Sequence, residues 1–177
     1  MPGNRSVRHV KIPTDGYRQA WREKVIYAND MTEGSGATLT NIGVSPAWRF
    51  DDDEDQHVYC DLKLPIERVP GSPLKTKLVF CTSGGGGYIL LYVKVLVASM
   101  GTDLTTATSP LFSIATASPA NIDSIAPPIW VQSTELDDLI DPVELQLNIG
   151  REGAHALDTS VNNVYLLKYI VEYLAYV

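Results

Sequence analysis

Residues 164–177 leave this chain few ways to fold. The run Val164-Tyr165-Leu166-Leu167-Lys168-Tyr169-Ile170-Val171-Glu172-Tyr173 is β-branched and aromatic, and the sequence stops at Val177. Terminal residues fray unless something ties them down. A run this apolar is therefore expected to be a strand locked inside a sheet, in a closed β-domain that finishes where its sheet finishes. Just upstream, Val143, Leu145, Leu147 and Ile149 alternate with Glu144, Gln146, Asn148 and Gly150. That period of two predicts a strand with one buried and one wet face.

The same pattern recurs along the chain. Ala47–Phe50, Val58–Leu64, Leu74–Thr82, Tyr88–Met100, Leu111–Ala117 and Ile129–Ser133 all read as strands, punctuated by 13 glycines and 11 prolines. Gly16–Tyr27 reads as a short helix or an irregular strand, and Gly34-Ser35-Gly36 as a turn. Helical signal is confined to Asn121–Ile125 and to Thr134–Ile140, where Thr134 is a candidate cap. About eight to ten strands at such spacings predict an all-β chain, an antiparallel β-sandwich of jelly-roll type. No interval repeats. The expected organisation is an extended basic arm over residues 1–24 and one jelly-roll domain over 25–177.

Charge supports that division. The net charge is −7, yet residues 1–24 hold Arg5, Arg8, Lys11, Arg18, Arg22 and Lys24 against only Asp15 and Glu23. An acidic body disfavours nucleic acid as a ligand, because phosphate binding needs a basic face. The arm is suited instead to an acidic protein surface, the alternative for residues 1–10 being a disordered solubilising leader. Met1–Lys24 has no apolar core of a signal peptide, and no apolar run is long enough to span a bilayer. Synthesis in the cytoplasm and no membrane partner are the expectations. Cys60 and Cys81 both sit in apolar strand patterns, where cysteine behaves as a small buried hydrophobe.

Motifs for chemistry are sparse. Asp51, Asp53 and Asp55 have the opening spacing of a calcium loop, but Gln56 replaces the required glycine and Leu62 the closing glutamate. A solvated loop is the better reading, with Ca²⁺ the alternative. Ser83–Gly87 lacks the Lys-Ser/Thr of a phosphate loop and precedes a strand, so it reads as a hairpin loop. His9, His57 and His155 show no zinc spacing and do not supply the metal set of a cupin-type enzyme. No nucleophile elbow is present, and no enzyme is expected. Trp21, Trp48 and Trp130 with nine tyrosines can stack sugars, which makes a carbohydrate-binding module one expectation. Their positions fit a core edge or subunit boundary better. Arg151 and Asp158 bracket a glycine-containing loop and are expected to pair as a structural brace across the turn between the last two strands.

Several segments together resemble a known family. Val58-Tyr59-Cys60-Asp61-Leu62-Lys63-Leu64-Pro65, Lys77–Phe80, a glycine-rich turn and Tyr88–Val97 come in that order. They are followed by Gly150-Arg151, Leu157-Asp158-Thr159, Val164–Leu167 and Glu172-Tyr173. This order resembles small jelly-roll proteins of tailed bacteriophages and prophages, most specifically in the C-terminal block. The resemblance implies a virion structural protein. The expected role is a capsid decoration (cement) protein that binds the major capsid protein or other virion proteins as a homotrimer on the shell surface. Arg5, Arg8 and Lys11 would then face the shell, and Trp21, Trp130 and Tyr176 would lie near subunit contacts. The alternative is a carbohydrate- or receptor-binding module of a phage fibre or tail appendage.

Overall fold

The computed structural model describes residues 18–98, 112–117, 124–125, 129–131 and 144–177, and the side chains of 18–94 and 146–177. Twelve strands follow in order: β1 Gln19–Tyr27, β2 Thr32–Ser35, β3 Thr38–Ile42, β4 Ser45–Phe50, β5 Asp55–Lys63 and β6 Leu74–Thr82. They continue with β7 Tyr88–Ala98, β8 Phe112–Ala117, β9 Ser124–Ile125, β10 Ile129–Val131, β11 Glu144–Glu152 and β12 Val164–Tyr176. One 3-10 turn, Ala28–Asp30, separates β1 from β2. The strands form two antiparallel sheets. The larger has seven strands, in the order β10-β6-β12-β4-β3 with β1 beside β12 and β9 beside β6. The smaller has five, in the order β2-β5-β11-β7-β8. The chain is an antiparallel β-sandwich of jelly-roll type.

Thirteen residues long, β12 lies in the middle of the larger sheet. One of its edges pairs with β6 over Val164–Glu172, and the other with β4 and then β1. Both edges of the terminal strand are therefore hydrogen-bonded, which is why so apolar a run is stable there. A bulge between Leu166 and Lys168 resets the alternation, so that Leu166 and Tyr169 both face the core.

The core is what period two demands of a sandwich. The smaller sheet contributes Val58, Cys60 and Leu62, then Ile89, Leu91 and Val93, then Leu147 and Ile149. The larger contributes Trp48, Phe50, Leu78, Phe80, Leu166, Tyr169 and Val171. Burying each large side chain contributes about 1.5–3 kcal/mol. Trp48 also donates from Nε1 to the Ala28 carbonyl at 2.8 Å, tying the 3-10 turn to the core. Cys60 and Cys81 are buried on strands of different sheets. Burial, with Asp61 adding to it, pushes the Cys60 thiol up to about 12, so it stays protonated and inert.

The structure corrects several expectations. Gln19–Lys24, expected in the arm, belongs to β1, because its backbone finds a partner along residues 171–176 of β12. Gly34 and Ser35, expected in a turn, lie in β2 against His57. Ser124–Ile125, expected to be helical, pairs with Val79–Phe80. Ser83–Gly87 is not a hairpin loop, since β6 and β7 lie in different sheets and the loop crosses between them. Residues 1–17 of the arm and Thr134–Ile140 lie outside the described residues.

Candidate functional site

Two side-chain groups stand out, one structural and one outward-facing. Arg151 is the structural one. The alternation of β11 points Leu147, Ile149 and Arg151 into the sandwich, so a guanidinium occupies a core position with no exposed surface. Its Nε and Nη2 donate to Asp158 Oδ2 and Oδ1 at 2.8 and 2.7 Å. Nη1 donates to the carbonyls of Asp51 (3.1 Å) and Asn162 (2.8 Å), and Nη2 also to that of Ser160 (2.7 Å). All five N–H groups are used, which is the condition for tolerating a buried guanidinium. Asp158 also accepts from the Leu90 amide at 3.0 Å. Because β11 and β12 lie in different sheets, this pair pins a crossover rather than a hairpin turn.

The outward-facing group lies across the smaller sheet. Strand registers place its side chains in rows. Asp61 lies opposite Gln146, and Tyr59 opposite Asn148, which lies opposite Lys94. His57 lies opposite Gly150, which lies opposite Tyr92, and Asp55 lies opposite Glu152. Three aromatic rings and several hydrogen-bonding groups thus share one face. Two glycines make room for the rings. A Cβ on Gly150 would meet Tyr92 Oη at 2.6 Å and Cζ at 2.7 Å, so the phenol end of Tyr92 lies over β11, and the residue is 4% exposed. A Cβ on Gly34 would meet His57 Cδ2 at 2.3 Å, so the imidazole lies over β2. Glycine inside a strand often marks such a close approach.

Polar contacts fix the rings. His57 Nε2 and Tyr59 Oη share a hydrogen bond at 3.0 Å, their rings edge to face at 4.9 Å. Lys94 Nζ sits 4.5 Å from the Tyr92 ring centroid, a cation–π contact. Burial, then the neighbouring Glu152, Asp55 and Tyr59, pushes the Tyr92 phenol up to about 12. Burial first, and Lys94 second, lowers the His57 pKa, keeping the imidazole neutral at pH 7. Asn148 Oδ1 is buried and accepts no hydrogen bond from the described residues. A buried acceptor left this way costs free energy until a donor arrives.

The residues singled out from sequence fall elsewhere. Trp21 lies on β1 of the larger sheet, exposed, with Lys75 Nζ 4.1 Å over its ring. Tyr176 lies on the neighbouring strand, and the Trp130 backbone is in register with Lys75. These three share the larger sheet, and Trp48 is in the core. The carboxylates of the loop do not converge. Asp51 pairs with Arg49 at 3.1 Å and accepts from Gln56, while Asp55 accepts from the Ala154 amide. Among the described residues no three His, Cys, Asp or Glu side chains gather to hold a metal, so Asp51, Asp53 and Asp55, the alternative Ca²⁺ set, are not brought together. Arg5, Arg8 and Lys11 lie outside the described residues. No described helix is long and apolar enough to cross a membrane.

His57, Tyr59, Tyr92 and Asn148 escaped sequence reasoning because sheet order, not sequence, brings them together. The available signal was Gly150, the one residue without a side chain in the outward series of β11.

Comparison with solved structures places this architecture. The backbone is similar to CBM29_1, a family 29 carbohydrate-binding module from Piromyces equi. The TM-score is 0.50 at 17% identity, over 87% of this chain and 91% of that one. It is also similar to the xylan-binding module CBM15, with a TM-score of 0.52 at 12% identity over 88% and 97% of the two chains. The fold is shared with carbohydrate-binding modules. At these identities the likeness is one of fold. No protein-family model and no curated protein matches the sequence.

Proposed function

We propose that this protein is a non-catalytic carbohydrate-binding module whose ligand lies across the outer face of the smaller sheet. One observation carries it: Tyr59, His57 and Tyr92 share that face with Asn148, Gln146, Lys94 and Asp61. Sugars present apolar C–H faces to aromatic rings and hydroxyls to polar side chains, so a sugar site mixes the two in one plane. The shared fold supports the same direction, since one of the modules named above is a carbohydrate-binding module and the other a xylan-binding module. A capsid decoration role rests on the sequence resemblance, most specific in the C-terminal block, and on the basic arm, and ranks second. A receptor-binding module of a phage fibre or tail appendage would satisfy both.

The test is retardation of the full chain in native gels cast with soluble polysaccharides, alongside a glycan array. Selective retardation by at least one polysaccharide is expected. Uniform mobility in every gel together with a silent array would overturn the proposal.

A further inference from the structure

Resting on that function, we infer that the ligand is an uncharged polysaccharide. One of its sugar rings displaces Lys94 from Tyr92 and donates a hydroxyl proton to Asn148.

Charge is the first observation. Asp55, Asp61 and Glu152 point outward on this face against Lys94 and Lys63, and His57 is held neutral. Asp55 and Glu152 are direct cross-strand partners, an arrangement that is unfavourable for like charges and would repel a uronate or sulfate further. Among the described residues the face presents no arginine fork with which to grip a carboxylate. A neutral chain meets neither objection.

The second observation is the state of the central row. Asn148 Oδ1 is a buried acceptor without a donor, between Tyr59 on one side and Lys94 on the other. An acceptor selects a ligand that donates, as a sugar hydroxyl does, so this row favours a sugar while the charge of the face favours a neutral one. The third is the lysine. The phenol end of Tyr92 rests over Gly150 and the residue is only 4% exposed, with Lys94 Nζ 4.5 Å from its ring centroid as part of its cover. A lysine stem has several rotatable bonds and an ammonium that water solvates readily. Its contact with an aromatic ring is weak enough to be exchanged for a sugar face. Of the groups that cover the ring, Lys94 is therefore the one most easily moved.

Native gels containing arabinoxylan, barley β-glucan, galactomannan or polygalacturonate, combined with NMR of the Lys94 side chain, test this. Retardation by one or more neutral polymers and none by polygalacturonate is expected. In the free protein the Lys94 CεH₂ protons should be shifted upfield by the Tyr92 ring, and should return to ordinary values at saturation with the retarding polymer. Asn148→Ala should weaken binding about tenfold. Lys94→Ala should bind between unchanged and about fivefold tighter, because the covering contact is gone. Retardation by polygalacturonate overturns the inference. So does a Lys94→Ala loss as large as that of Asn148→Ala. Neutral-polymer binding with unmoved Lys94 signals also overturns it while leaving sugar binding standing. Absence of retardation by every polymer overturns both. The Lys94 signals are read on the unmutated protein, so the test does not depend on either variant folding.

Discussion

Replacing Asp158 by Ala should be among the most damaging single changes in this chain. The Arg151 and Asp158 side chains have no exposed surface, and two hydrogen bonds at 2.7 and 2.8 Å join them. Removing the carboxylate strands a guanidinium in the core and deprives the Leu90 amide of its acceptor. Breaking a buried pair by deleting one partner costs about 3–5 kcal/mol. At about 2–4 °C per kcal/mol for a chain of this size, the melting temperature should fall by roughly 6–20 °C. Arg151→Met should be similarly costly for a different reason. It leaves the Asp51, Asn162 and Ser160 carbonyls without their donor, so an apolar double variant should not recover wild-type stability. Urea unfolding followed by tryptophan fluorescence reads this, since Trp48 is buried and reports on the core. The loss should be nearly the same in 1 M NaCl, because a pair without exposed surface is poorly screened. A loss of less than about 1 kcal/mol, or one that vanishes in salt, would refute the brace.

Three further outcomes follow from other places in the fold. Gly150→Ala should destabilise by about 1–3 kcal/mol and lift Tyr92 off the sheet, since its Cβ would meet the Gln56 carbonyl at 2.4 Å as well as the ring; near-ultraviolet circular dichroism and urea unfolding check it. Because the folded His57 pKa lies below its unfolded value of 6.5, the unfolded chain binds the extra proton first. Stability should therefore be complete above pH 6.5 and decline as pH falls from there to the folded pKa, and His57→Gln should flatten that slope. On the opposite sheet the Lys77 hydrogen bond lowers the Glu172 pKa, so its contribution is present above the unfolded value of 4.5 and lost as pH falls through the folded one. Glu172→Gln should cost less than about 1 kcal/mol at pH 7, measured by the same unfolding assay.

Where the sequence was informative, a single physical signal dominated. The strict alternation of Val143–Arg151 and the apolar run of Val164–Val177 predict strands, and Glu144–Glu152 and Val164–Tyr176 are strands. Gln19–Tyr27 was ambiguous because QAWREKVIY has no strong period. Its strand state comes from the free edge of β12 beside it, a tertiary cause. Connections were misread for a related reason. A glycine loop between two strands looks the same whether the strands share a sheet or not, and only the packing of the two layers separates those cases. The Arg151–Asp158 pairing was visible as a charge inside a strand with a carboxylate nearby. The aromatic face was not, because residues 57–59, 92–94 and 148–150 meet only when β11 inserts between β5 and β7.

The outer face of the smaller sheet, and not that of the larger, is the proposed carbohydrate site. Isothermal titration calorimetry with a retarding polysaccharide should show Tyr59→Ala weakened about tenfold or more, and Trp21→Ala, on the larger sheet, unchanged within about twofold. Loss of binding in Trp21→Ala with Tyr59→Ala unaffected would contradict it.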